Sequence, residues 1–309
     1  MHPHSAEYLM DNHISNLVEE LSKGDKKVLA RCISIVENEG AGSEELLLQL
    51  MPNRQIPVVG ITGPPGAGKS TLVSSLISFL LNKNKKVGIL AVDPTSPFNL
   101  GSLLGDRLRM GIHFNHPDVF IRSIATRGSL GGLSSKIIEI IDVMKASDFD
   151  YIIVETVGVG QSEIEIAGIA DTTVVVLVPE AGDEIQTIKS GIMEIADIFV
   201  VNKSDRTGAD IFVKNLEQLV HSHQEKLWSP PVIKTVATDN TGIEELVRDI
   251  AKHQTLAVNT KRAFLLAEKA YYLIQNKRMK EVSKHDLVMQ IEAVMNLPDF
   301  NIYSFIKNY

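Results

Sequence analysis

The 309-residue sequence predicts an α/β fold, a mainly parallel sheet flanked by helices, with helical extensions before and after it. Two observations predict it. Between residues 56 and 254, short β-branched runs alternate with helical stretches, and the runs are apolar at successive positions, as strands covered on both faces must be. In residues 1–55 and 255–309 the apolar residues recur at helical spacing instead.

At the N-terminus, Leu17, Val18 and Leu21, then Val28, Leu29, Cys32, Ile33, Ile35 and Val36, mark two helices separated by Gly24-Asp25. Gly40-Ala41-Gly42 breaks the second, and Ser43-Glu44-Glu45 starts a third. Six strands are expected, at 57–61, 87–92, 151–154, 173–178, 198–201 and 232–236. Residues 263–279 and 284–296 return to helix, rich in long charged side chains.

Composition narrows the function classes. Hydrophobic residues make up 44% and charged residues 22%, the balance of an ordinary globular protein. A net charge of −7 argues against general nucleic-acid binding, which needs clustered Lys and Arg to neutralise phosphates. The single cysteine, Cys32, permits no internal disulfide and reads as a small core hydrophobe. Neither a secretory leader nor an apolar run of membrane-spanning length is visible, so a cytoplasmic protein without membrane contact is expected.

Gly63-Pro64-Pro65-Gly66-Ala67-Gly68-Lys69-Ser70 fits the G-x-x-x-x-G-K-[ST] pattern and stands between a strand ending at Ile61 and a helix over 70–81. Its glycines let successive N–H groups turn inward on phosphate oxygens, and the helix N-terminus adds partial positive charge. Lys69 is placed to reach the β- and γ-phosphates, Ser70 to ligate Mg²⁺ and Thr71 to touch the α-phosphate. The expected fold is therefore a P-loop NTPase.

Asn202-Lys203-Ser204-Asp205 ends a later strand with N-K-x-D. The Asp205 carboxylate can accept both guanine N1–H and N2–H, donors that adenine lacks there, and a pocket built on such bonds rejects the wrong base strongly. Asn202 is expected to brace the pocket, Lys203 to lie over the base, and the Ala237 N–H, after the next strand, to meet guanine O6.

Acids end two other strands. Glu155 either holds Mg²⁺ through water or orients the attacking water, and Asp93 and Asp106 are further candidates for the ion, since Mg²⁺ prefers oxygen ligands. Each of the three also reads as a helix cap or loop acid. The Gly158 N–H can bond the γ-phosphate and so sense hydrolysis. Arg107 and Arg109 are candidates either for transition-state charge stabilisation or for surface ion pairs. No glutamine directly follows Gly158, although Gln161 is near. Without an arginine finger such sites turn over at roughly 10⁻² to 10⁻⁴ s⁻¹, so a slow timer is expected.

The runs 63–71, Ala91-Val92-Asp93-Pro94-Thr95-Ser96, Gly105-Asp106-Arg107-Leu108-Arg109-Met110, Thr126-Arg127-Gly128-Ser129-Leu130-Gly131-Gly132 and Glu155-Thr156-Val157-Gly158-Val159-Gly160-Gln161-Ser162-Glu163 resemble the methylmalonyl-CoA mutase-associated G proteins of the MeaB/ArgK type, in the SIMIBI class of P-loop proteins. Residues 182–191, Ala196-Asp197 and Asn202-Lys203-Ser204-Asp205 extend the match over nearly the whole chain. The resemblance implies a GTPase that escorts an adenosylcobalamin-dependent acyl-CoA mutase, coupling GTP hydrolysis to cofactor loading and protecting the mutase, without binding cobalamin itself. It also implies a homodimer joined by C-terminal helical arms, here 255–309, and a mobile segment at 180–189 with Asp183, Gln186 and Lys189 as contacts. Pro179-Glu180-Ala181 departs from many relatives.

Two alternatives share the motif set. A nickel-inserting metallochaperone would need Cys and His at ligand spacing, but Cys32 is isolated and the close pairs His2/His4 and His221/His223 have no cysteine nearby. An arginine/ornithine transport system kinase, a label once given to part of the family, fits a guanine pocket and switch-like loops less well.

Overall fold

The computed structural model describes residues 3–53, 55–93, 110–125, 136–156, 165–180, 192–221, 228–257 and 262–309. Among them, seven strands form one parallel sheet: β1 (Val58–Thr62), β2 (Val87–Asp93), β3 (Val119–Ala125), β4 (Tyr151–Glu155), β5 (Thr172–Leu177), β6 (Ile198–Val201) and β7 (Val232–Lys234). Their spatial order is β3-β2-β4-β1-β5-β6-β7. β1 is central, with β4 and β5 beside it in register, Ile61 against Glu155 and Thr62 against Val175.

The strand absent from the sequence expectation is β3. Arg122 and Ser123 interrupt its apolar run. The sheet accepts them because β3 lies at an edge, where a side chain can reach past the core. Arg122 does so, bonding Glu37 Oε2 at 2.8 Å and Ser34 Oγ at 3.3 Å.

Helices cover both faces, and the strand period of two sorts residues between them. Val59, Ile61, Ile89, Ile153, Val174, Val176 and Val200 pack on α4 (Lys69–Asn82) through Leu72, Val73, Leu76 and Ile77. Ile243, Leu246 and Ile250 of a second helix (Ile243–Ala257) join the same core. The intervening residues Val175, Leu177, Phe199 and Val201 meet Phe212, Val213, Leu216 and Val220 of the helix Ala209–His221 on the other face. Gly60 and Gly88 are small because Ile166 and Ala170, and Met144 and Phe149, press against the positions a Cβ would occupy.

The N-terminal helices α1 (Pro3–Ser22), α2 (Lys26–Glu37) and α3 (Ser43–Gln49) pack against one another, and α2 and α3 pack on α5 (Ile137–Lys145). Asp25 caps α2 by accepting from the N–H groups of Lys27 and Val28. Cys32 is buried on α2, and burial pushes its thiol up to about 11, as a core hydrophobe requires.

Two compact units result, Met1–Arg262 and Ala263–Tyr309. The second contains the helices Lys284–Val294 and Ile302–Phe305, neither of which has a buried residue. Among its described residues, Tyr271, Ile274, Val288, Met289, Leu297 and Tyr303 are all more than half exposed. Among the described residues of the whole chain, no helix is long and apolar enough to cross a membrane.

Candidate functional site

The site lies at the C-terminal edge of the sheet, where parallel α/β proteins hold ligands. β1 delivers the chain into the loop 63–68, and α4 begins at Lys69. Gly63, Gly66 and Gly68 all have positive φ, at 136°, 78° and 86°. Two of them are also sterically fixed: a Cβ on Gly63 would strike the Val176 carbonyl, and one on Gly68 would strike Asn202 Nδ2. Gly68 caps α4 without a side-chain hydrogen bond, which leaves the first N–H groups of the helix directed out of its end.

Lys69 is buried, its ammonium held 2.8 Å from Gly63 O and 3.1 Å from Pro64 O. These carbonyls keep the charge at the loop mouth. Ser70, also buried, donates from Oγ to Glu155 Oε1 at 2.6 Å. The β1–β4 register is the cause, since it sets Glu155 beside Ile61, two positions before the loop opens. A hydroxyl and a carboxylate oxygen this close form a hard, oxygen-only donor pair, which fits Mg²⁺. Among the described residues there is no group of three or more His, Cys, Asp or Glu that could hold a metal ion.

Behind this pair, Thr156 Oγ1 donates to Thr62 Oγ1 at 2.9 Å, with both residues buried. The bond ties the residue after Glu155 to the residue before Gly63. Asp93 closes β2 on the same edge as Glu155. Asp106, Arg107, Arg109, Gly158, Gln161, Asp183, Gln186 and Lys189 lie outside the described residues.

The second half of the site is organised by Asn202. It follows β6, is 2% exposed, and uses both ends of its amide. Nδ2 donates to Ala67 O in the phosphate loop at 2.9 Å. Oδ1 accepts from Thr235 Oγ1 at 3.1 Å and from the Ala237 N–H at 3.2 Å. The N–H expected to meet guanine O6 is thus also held by Asn202. Lys203 has a positive φ of 55° and donates from Nζ to Gly66 O at 2.8 Å, so its stem spans from one loop to the other. Asp205 is exposed two residues on, with its carboxylate open to solvent.

Three flanking contacts were not expected from sequence. Ser75 Oγ, on α4, lies 2.5 Å from Ala237 O. Arg206 bonds Glu180, and that hydrogen bond holds the Glu180 carboxyl below the usual carboxylate range. His113 Nε2 sits 3.1 Å from both Ser74 Oγ and Ser74 O on α4, and burial lowers its pKa. The sequence offers a signal for none of them, because each partner is distant along the chain or an ordinary backbone carbonyl.

The arrangement can bind a nucleoside triphosphate through N–H groups and one lysine, place hard oxygen donors beside it, and present a carboxylate to a base. Comparison with known proteins agrees. The family model described as methylmalonyl-CoA mutase-associated GTPase MeaB matches residues 29–293. A Pyrococcus horikoshii protein described as a GTPase is 45% identical over 301 residues, covering 96% of this chain and 93% of its own. The mouse methylmalonic aciduria type A homolog, mitochondrial, is 36% identical over 270 residues, covering 79% of this chain and 64% of its own. Among solved structures, a crystal structure of an LAO/AO transport system kinase superposes with a TM-score of 0.70 at 26% identity, over 92% of this chain and 93% of that one.

Proposed function

Because the chain belongs to the methylmalonyl-CoA mutase-associated GTPase family, we propose that it is a slow, Mg²⁺-dependent GTP switch that escorts an adenosylcobalamin-dependent acyl-CoA mutase. The observation that carries the switch reading is the Asn202 bridge. One buried amide joins the phosphate loop to the Thr235–Ala237 segment, which supports reading the two as parts of one nucleotide site.

In this reading the loop 63–68, with Lys69, Ser70 and Thr71, holds the phosphates, and Asn202, Lys203, Asp205 and Ala237 select guanine. Ser70, Glu155, Asp93 and Asp106 serve the ion, with Gly158 at the γ-phosphate and Arg109 at the developing charge. Mg²⁺, when bound, neutralises β- and γ-phosphate charge. The chain's own residues do the positioning: Lys69 is delivered by α4, and Glu155 is fixed beside Ser70 by the strand register.

The mutase partner is supported by the family description and by the name of the mouse relative. A homodimer through residues 255–309 is supported by the exposed apolar side chains of the C-terminal unit, which as a lone unit would leave Tyr271, Ile274, Leu297 and Tyr303 in water. This reading takes the protein as cytoplasmic, with cobalamin carried by the mutase and not by this chain.

The test is affinity capture from source lysate with the purified chain loaded with a non-hydrolysable GTP analogue, alongside GTP hydrolysis by wild type and Lys69→Ala. Recovery of an acyl-CoA mutase and loss of hydrolysis in the variant are expected. Equal hydrolysis rates remove the catalytic assignment, and capture without any cobalamin mutase removes the escort role.

A further inference from the structure

We propose that Ser75, one turn into α4 from Thr71, is a specificity-positioning residue that fixes Ala237 for recognition of the base's 6-oxo group. The inference rests on the guanine-site reading above and adds to it a residue outside every nucleotide-binding motif in the chain.

A serine inside a helix ordinarily returns its hydroxyl to the carbonyl four residues back. Ser78, on the same helix, does this, with Oγ 3.1 Å from Ser74 O. Ser75 has the same option, Thr71 O at 3.1 Å, but its Oγ lies closer, at 2.5 Å, to Ala237 O, 162 residues away. A hydroxyl has one hydrogen, and neither carbonyl can donate, so the nearer acceptor takes it. Ser75 is 7% exposed and Ala237 is 5% exposed, so no solvent stands ready to replace the bond.

The consequence falls on Ala237. Its N–H is held by Asn202 Oδ1 at 3.2 Å and its C=O by Ser75. With the peptide groups on both sides of its Cα anchored, φ and ψ have no slack. The N–H bond is at the long limit for its type, so the hydrogen can be shared with a second acceptor in front of it. A 6-oxo purine supplies that acceptor. Ser75 thus holds the rear of the segment whose front reads the base, and it does so from the helix whose first residues hold the phosphates.

The experiment compares GDP with 6-thioguanosine diphosphate, which keeps N1–H and N2–H and replaces only the 6-oxygen with a poor acceptor. Affinities are measured by displacement of a fluorescent GDP from the full chain, for wild type, Ser75→Ala and Ser75→Thr. Wild type is expected to prefer GDP. Ser75→Ala should weaken GDP about five- to tenfold, the loss expected for one hydrogen bond, with little further effect on the thio analogue, so the preference narrows. Ser75→Thr, which keeps the hydroxyl, should restore it. If both nucleotides weaken equally in Ser75→Ala, Ser75 only packs the core and the proposal is overturned. If wild type itself shows no preference for GDP, the guanine O6 contact fails first, and the role of Ser75 with it. Should Ser75→Ala not purify folded, the near-isosteric Ser75→Cys, a weaker donor, gives the same readout.

Discussion

Asn202 Nδ2 donates to Ala67 O at 2.9 Å, so a residue of the N-K-x-D segment completes the backbone hydrogen bonding of the phosphate loop. The N-K-x-D segment is therefore part of the structure of the loop 63–68 as well as its neighbour. Asn202→Ala removes this donor together with the acceptor of Thr235 Oγ1 and the Ala237 N–H, all buried. Leaving buried groups unsatisfied costs about 1–3 kcal/mol each. The variant is expected to lose at least about 3 kcal/mol in urea denaturation and to bind GTP and GDP weakly alike in titration.

Asp205 behaves differently because it is exposed. Asp205→Asn should leave the denaturation midpoint close to wild type while weakening GTP more than Lys203→Arg does, and should relax the choice between GTP and ATP. Unchanged discrimination in competition binding would count against the pocket assignment.

Ser70→Ala deletes the hydroxyl that meets Glu155 Oε1. GTP hydrolysis should fall by roughly 10²-fold, the scale seen when one preorganised polar contact to developing charge is lost. The Mg²⁺ concentration for half-maximal activity should rise. A Mg²⁺ titration that superposes on wild type would rule out Ser70 as a ligand.

His113 gives a pH prediction. Burial holds its folded pKa below the ordinary value near 6.5, so the unfolded chain binds the proton more readily. Its contribution is fully present above about pH 6.5 and is lost as the pH falls below that toward the depressed folded value. Stability measured from pH 7.5 to 5 should therefore decline more steeply in wild type than in His113→Gln. Parallel curves would show that another group carries the acid sensitivity.

The C-terminal unit supplies the last prediction. Removing residues 255–309 should convert a dimer to a monomer in sedimentation. A truncated protein that remains dimeric would move the interface elsewhere.

What the sequence made legible follows from where the physics is local. The sheet's interior strands could be read because Val174, Val175 and Val176 are buried on alternate faces and all must be apolar. The phosphate loop could be read because its conformation depends on glycines a few residues apart. β3 could not, because an edge strand tolerates Arg122, whose partner Glu37 is 85 residues away. Ser75–Ala237 and Thr62–Thr156 were hidden for the same reason: a serine in a helix or a threonine in a strand has an ordinary local explanation, and only the packed fold brings its second partner within reach.

At the opposite end of the same strands, Thr172 Oγ1 lies 2.9 Å from His253 Nδ1, and Asp197 lies 3.3 Å from His253 Nε2 and accepts the Thr173 N–H at 2.9 Å. Trp228 covers the imidazole with ring centroids 5.0 Å apart and donates to Asp197 O. Asp197 and Thr172 thus hold the two ring nitrogens of His253 from opposite sides. The N-terminal ends of β5 and β6 are thereby tied to the helix Ile243–Ala257 through one buried histidine, at the edge of the sheet away from the loop 63–68.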